Sequence, residues 1–236
     1  MARQQSLICK GCWQQMHVPI PLRGALSVPF RVVGLRPSRM NPNTCTFCEL
    51  MFKRVMKATK ITIDATILFA DVRAYTSLSQ SLSATAMGDL LDIFYDECAG
   101  AIWEYDGLLN KTIGDAVMAV FADDLDGLAA SVAILHVFEE FRRVEPRDRT
   151  HIKLGVYGGP CYVVTANGVL DYFGQTVNIA ARLQGEARGG ELVVEEALAA
   201  RAVEAGAIRD DFVVERYPAQ LKGVDRALRV ARIKVR

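Results

Sequence analysis

Residues 61–71 read ITIDATILFAD, a run rich in β-branched residues that stops on an acid. Branched side chains suit a pleated, packed surface, so this run predicts a first strand. Residues 108–112 and 116–121 form two more such runs, and the Ile113-Gly114-Asp115 step between them is a hairpin signal. Further strands are predicted over 151–157, 161–164, a short stretch near Asp171, 192–194, 212–216 and 228–233. Between them the apolar period lengthens. LDGLAASVAILHVFEEF, within 124–143, has the spacing of an amphipathic helix. Residues 79–105 read mostly as helix with a break near 83–85, and 176–187 and EEALAARAVEAG are also helical. Alternating strands and helices, with hairpins among them, favour an α/β or α+β sandwich over a helix bundle.

Upstream of residue 61 this pattern dissolves. Prolines interrupt residues 13–44 where a long helix would otherwise run, so short strands and turns are expected there. ELMFKRVMKATK, at 49–60, is an amphipathic helix with Leu50, Met51, Val55 and Met56 on one side and basic residues opposite. Charge changes at the same place. Residues 1–60 carry ten Lys and Arg against the single acid Glu49, whereas the remainder carries 18 basic and 26 acidic residues. The head also holds five of the eight prolines and four of the six cysteines. These shifts divide the chain into a cysteine-rich module at 1–48, a linking helix at 49–60 and a main body at 61–236.

At 236 residues and 51% apolar, the chain can bury one full core beside a small module. No stretch approaches the ~18 apolar residues of a membrane-spanning helix, and MARQQSLICKGC lacks the apolar core of a secretory signal. The scattered positive charge of the head, without aromatic interleaving or a helical stripe, reads as a solvated face or a surface docked on the acidic body. No nucleic-acid partner is expected.

Candidate chemistry begins with Asp71 and Asp115, each where a strand gives way to a turn. One aspartate in such a place is ordinarily a turn former or cap. Two together suit hard divalent cations, and paired metals suit phosphoryl chemistry. A third motif, DYFGQTVNIAARLQG at 171–185, sharpens the reading. Its Asn178 and Arg182 lie one helical turn apart and share a face.

Taken together, FADVRAYTSLS, NKTIGDAVMAVF and DYFGQTVNIAAR resemble the class III nucleotide cyclases over roughly residues 61–236. The resemblance implies a ferredoxin-like α+β catalytic domain that works as a head-to-tail homodimer. It makes Asp71 and Asp115 the ligands of two Mg2+ or Mn2+ ions, with the Val72 carbonyl as a further ligand and the VRAYTSLS helix start near the phosphates. Asn178 and Arg182 would hold the ribose and stabilise charge on the transferring phosphate, for which a planar, permanently charged guanidinium is suited. Lys222, in QLKGVDRALRV, matches a family lysine that contacts the triphosphate. Lys111 and Asp171 fall at the base-selecting positions. A lysine can donate to adenine N1 and an aspartate can accept from N6, whereas relatives that use guanine resemble Glu and Cys there.

The expectation is therefore an ATP-using adenylate cyclase in a reducing cytoplasm. One protomer would give Asp71 and Asp115, and the other Lys111, Asp171, Asn178, Arg182 and Lys222. A guanylate cyclase, or a silent cyclase-like domain serving its head, is the alternative. The segment before DYFG, TANGVL, lacks the basic residue that some relatives carry.

Cys9-x-x-Cys12 and Cys45-x-x-Cys48 are a separate signal. Two such pairs can close a tetrahedral thiolate site for zinc. The 32 residues between them exceed zinc-ribbon spacing, so an iron–sulfur cluster stands beside zinc as a candidate. Cys98 and Cys161 lie in apolar surroundings and read as core thiols.

Overall fold

The predicted first strand, β1 (Thr62–Val72), lies inside an eight-stranded sheet. The structure, a computed structural model, describes residues 5–58, 61–144, 151–166 and 169–236. β1 pairs antiparallel with β3 (Ala116–Phe121) on one edge and with β4 (Ile152–Ala166) on the other. β2 (Leu108–Ile113) joins outside β3. Beyond β4 come β6 (Glu191–Glu195), β8 (Leu228–Val235) and β7 (Phe212–Ala219), giving the order β2-β3-β1-β4-β6-β8-β7. β5 (Val169–Phe173) pairs with the far half of β4.

Alternation along the strands decides what each face buries. Leu68, Ala70 and Val72 of β1 join Val117, Ala119 and Phe121 of β3 on one face. That face is covered by α5 (Ala84–Glu104), α6 (Asp124–Val144) and α8 (Glu196–Glu204), through Phe94, Ile102, Leu128, Leu135 and Leu198. Ala65 and Ile67 point the other way, with Met118 and Val120. α7 (Gln175–Glu186) covers this second face with Ile179, Ala180 and Leu183, and α3 (Thr46–Ala58) brings Phe52 to it. Each fully buried Leu, Ile or Phe contributes on the order of 1.5–3 kcal/mol. The product is the mixed α+β fold that the alternating pattern predicts.

The helix break falls as expected, between α4 (Tyr75–Ser81) and α5, where the Ser83 hydroxyl accepts from the Ala86 amide at 3.2 Å and caps the longer helix. Two expectations fail. Residues 151–157 and 161–164 are not separate strands. β4 runs through Gly158-Gly159-Pro160 because the ladder to β1 continues there, Ala65 facing Gly159 and Asp64 facing Pro160. The head is also more helical than its prolines suggest. It forms α1 (Lys10–Met16) and α2 (Val28–Val32), and only isolated bridges, Ile8 to Pro21 and Pro37 to Cys45, stand for the expected strands among the described residues. Pro29 sits in the first turn of α2, where a missing amide is harmless. Residues 59–60 of the linking helix and 167–168 of TANGVL lie outside the described residues.

One close approach sets where α7 sits. A Cβ on Gly155 of β4 would lie 2.1 Å from the Gln184 amide nitrogen and 2.6 Å from the Ala180 carbonyl oxygen. Both are helix backbone, so no side chain can swing away. Gly155→Ala must lift α7 off the sheet, an overpacking cost of about 1–3 kcal/mol or more. We expect a melting temperature lower by about 2–4 °C per kcal/mol in a chain of this size. An unchanged melting curve would mean that α7 is not seated on this glycine.

Candidate active site

The β1–β3 register sets Asp71 opposite Ala116, one residue past the hairpin turn that carries Asp115. That turn is short, β2 ending at Ile113 and β3 starting at Ala116, and Gly114 takes the positive φ of 58° that tight hairpin loops favour. The Val72 amide donates to the Asp115 carbonyl at 3.1 Å, tying the strand end to the turn. The Tyr95 hydroxyl of α5 donates to the Gly114 carbonyl and holds the turn from the helical side.

The two carboxylates meet. Burial first, then a shared hydrogen bond with Asp115 and its negative charge, push the Asp71 carboxyl up to about 6, while Lys153 and the Gln184 amide pull it down. Gln184 Nε2 donates to Asp71 Oδ2 at 2.9 Å. Two half-buried acids in contact are unfavourable when both are ionised, and a divalent cation relieves the repulsion. The donor set fits: Mg2+ is commonly held by one or two carboxylates plus substrate phosphates. Asp71 and Asp115 can therefore hold the metal, with Gln184 fixing the orientation of the first. Helix α4, next in the chain, has seven residues and no side-chain cap.

Lys111 and Asp171 also meet, although 60 residues separate them. The Lys111 ammonium lies 2.7 Å from both Asp171 oxygens. Two irregularities bring this about. The β2–β3 register shifts between Leu109 and Lys111, a bulge at Asn110 that re-aims the strand. On the other side β5, paired to the far half of β4, carries Asp171. The Tyr172 amide (2.9 Å) and Asn110 Nδ2 (3.3 Å) both donate to Asp171 Oδ1, so the acceptor is held in place.

Asn178 and Arg182 face a cleft of about 360 Å³ that Lys222 and Glu186 also line. Lys222 comes from the turn at 222–223 beyond β7, and all of these side chains are exposed. Arg182 and Lys222 have no acidic partner among the described residues. An open, cationic cleft suits an anion. Around α7, Arg182 and Gln184 are separated by roughly 200°, at about 100° per residue. Gln184 points to Asp71, so Arg182 points away from it.

Sequence spacing did not reveal Gln184, Asn110 or Tyr95. Gln184 lies in the DYFG helix but off the face that Asn178 and Arg182 share. Asn110 adjoins Lys111, and the bulge that turns it toward Asp171 has no local signature. Tyr95 is one aromatic in a regular helix.

A family model for the adenylate and guanylate cyclase catalytic domain matches residues 57–227. A guanylate cyclase of Drosophila melanogaster is 32% identical over 145 residues, 56% of this chain and 12% of its own length. A pH-sensitive adenylate cyclase of Mycobacterium tuberculosis is 30% identical over 179 residues, 72% of this chain and 40% of its own length. The crystal structure of the adenylyl cyclase CyaB from P. aeruginosa superposes with a TM-score of 0.62 at 24% identity, covering 73% of this chain and 94% of that one. The chain thus spans less than half of these curated relatives. It belongs to the class III adenylate and guanylate cyclase family, with that family's α+β fold.

If the Asp71–Asp115 pair holds a cation, Mg2+ or Mn2+ alone raises the melting temperature. At 100 times its Kd the ion stabilises by about 2.7 kcal/mol. Asp115→Asn is expected to remove that shift, as followed by scanning calorimetry without nucleotide. A shift that survives in Asp115→Asn would place the ion elsewhere.

Proposed function

We propose that this chain is an adenylate cyclase, converting ATP to 3′,5′-cyclic AMP and pyrophosphate in active sites shared between two copies. The observation that carries the choice of base is the Lys111–Asp171 pair. It presents a donor and an acceptor side by side, as adenine N1 and N6 require. Guanine inverts that edge, and the mismatch would leave both polar groups without a partner on the base, a strong basis for rejection. Both adenylate and guanylate cyclases stand among the relatives, so the pair, not the resemblance, carries this choice.

In the reaction the ribose 3′-oxygen bonds to the α-phosphorus as the bond to the bridging oxygen breaks. The hydroxyl proton is lost and pyrophosphate leaves. Divalent ions, when bound, lower the pKa of the hydroxyl and neutralise phosphate charge. Asp71 and Asp115 would hold the ions, with the Val72 carbonyl as a further ligand. Lys111 and Asp171 orient the base, Asn178 positions the ribose, Arg182 faces charge developing on the phosphate, and Lys222 grips the triphosphate.

The helix α7 supports a shared site. Arg182 lies on the side of α7 away from Gln184, which contacts Asp71, and this favours a second copy bringing its Arg182 to this Asp71. Each chain carries both sets, and a homodimer then has two complete sites. A silent cyclase-like domain is disfavoured because both acids and both α7 residues are present. Among the described residues no helix is long and apolar enough to cross a membrane. An ATP substrate and free cysteines fit the cytoplasm.

Product analysis with ATP and with GTP tests the reading, with cyclic AMP expected and GTP preference overturning it. Lys111→Glu with Asp171→Cys should weaken ATP use. For the shared site, Arg182→Ala should lower kcat on the order of 100- to 1,000-fold, the usual loss of one transition-state donor. Asp71→Ala should be comparably inactive with the fold intact. Mixing the two variants should restore activity, because one composite site keeps both groups. Inactive mixtures that demonstrably contain heterodimer would exclude sharing.

A further inference from the structure

The four cysteines of the head converge. Sγ atoms of Cys9 and Cys48 lie 3.6 Å apart, those of Cys12 and Cys45 3.6 Å, and those of Cys12 and Cys48 3.4 Å. All four lie within 4.8 Å of one another. Zinc bonds of roughly 2.3 Å set tetrahedral sulfur–sulfur edges of about 3.8 Å, so this spacing fits one ion. A cluster places inorganic sulfide and more than one iron among its thiolates, which spreads them wider than this. Amides of Cys12 (3.4 Å) and Cys45 (3.1 Å) donate to Cys9 Sγ, and that of Cys48 to Cys45 Sγ (3.5 Å), as thiolates favour. Cys9, Cys12 and Cys45 are buried beside Leu22, with Ile20 and Leu35 packed on them. A closed, four-thiolate site is structural, with no open position for chemistry.

The loop that precedes Cys45 grips the main body. The Met40 carbonyl accepts from Trp103 Nε1 at 2.9 Å and from the Leu109 amide at 3.1 Å. Asn41 Nδ2 donates to the Gly107 carbonyl and Asn43 Nδ2 to the Trp103 carbonyl, each at 3.1 Å. The Lys10 amide donates to the Asn43 carbonyl at 2.8 Å, and the Lys10 ammonium pairs with Asp106 at 2.7 Å. Both cysteine pairs thus adjoin residues that hold the end of α5 and the start of β2. β2 is an edge strand, and Met40 occupies an edge donor at Leu109. The bulge that aims Lys111 at Asp171 begins at that same residue.

We propose that Cys9, Cys12, Cys45 and Cys48 bind one zinc ion, and that zinc, by fixing the 40–43 loop on β2, holds Lys111 in place for the base. The second half rests on the reading of Lys111 as a base-selecting group. Zinc is then a device for substrate selection placed outside the catalytic centre.

The full chain, purified without chelator, should contain one zinc per chain by elemental analysis and show no visible absorption band. Cys45→Ser with Cys48→Ser should lose the zinc. Asn41→Ala with Asn43→Ala should keep it but loosen the loop's hold on the α5–β2 connection, and with it the Met40 contact to Leu109. Both variants should lower kcat/KM for ATP on the order of 10- to 100-fold, the usual effect of a misplaced contact group, and narrow the preference for ATP over GTP. In a Trp13→Phe background, the Trp103 emission should shift to the red in both. Bound iron, a cluster band, disulfides between the pairs or metal-free protein would overturn the zinc site. Unchanged Trp103 emission and base preference in the folded variants would overturn the coupling. Wild-type protein inactive on both nucleotides would sink the proposed function, while zinc content and Trp103 emission would still decide the ion and its grip on α5.

Discussion

The antiparallel register of β1 against β3 is the constraint on which the rest depends. It brings the C-terminal end of β1 beside the start of β3, and so sets Asp71 against the turn that carries Asp115. Side chains alternate with a period of two, so a slip of one residue would turn Asp71 to the opposite face and expose Leu68 and Ala70. The buried face, not the acids, holds the register. The fold's apolar burial thereby keeps two carboxylates in a contact that neither would choose alone, and that burial, with the neighbouring Asp115, pushes the Asp71 carboxyl up to about 6.

Helix α7 distributes function around its own axis. Ala180 and Gln184 face the sheet, where Gly155 admits the helix backbone and Gln184 reaches Asp71. Asn178 and Arg182 face the open cleft with Lys222. A single element thus braces one acid and presents two groups to a ligand on its far side. In the proposed mechanism a second copy supplies the acids that face Arg182, and dimerisation and activity are thereby joined.

The head solves a different problem. Edge strands leave backbone donors and acceptors open, and β2 carries Lys111 near that edge. The 40–43 loop covers the Leu109 amide and packs on Trp103, while the cysteines close the loop's other end. Charge contributes modestly through the exposed Lys10–Asp106 pair, a kind of contact worth about 0.2–1 kcal/mol. Backbone and amide hydrogen bonds from the 40–43 loop, together with the apolar packing of Met40 and Phe52, add to that attachment.

Much of this protein is written locally. Local signals placed the elements: β-branched richness gave β1, the Ile113-Gly114-Asp115 turn gave the β2–β3 hairpin, and a helical apolar period gave α6. The same local logic put Asp71 and Asp115 at strand ends and Asn178 and Arg182 on one helical face. Local pattern does not record which buried face meets which. The continuation of β4 through Gly158-Gly159-Pro160 depends on a ladder supplied by β1, and the pairing of Lys111 with Asp171 depends on a bulge and on the placement of β5. Gln184 beside Asp71, four sulfurs gathered from two distant pairs and a loop seated on an edge strand are likewise contacts between segments far apart in the chain. The sequence determined the elements and the residue types available for chemistry; only packing decided which of them touch, because contact is set by the shape of the assembled core and not by spacing along the chain.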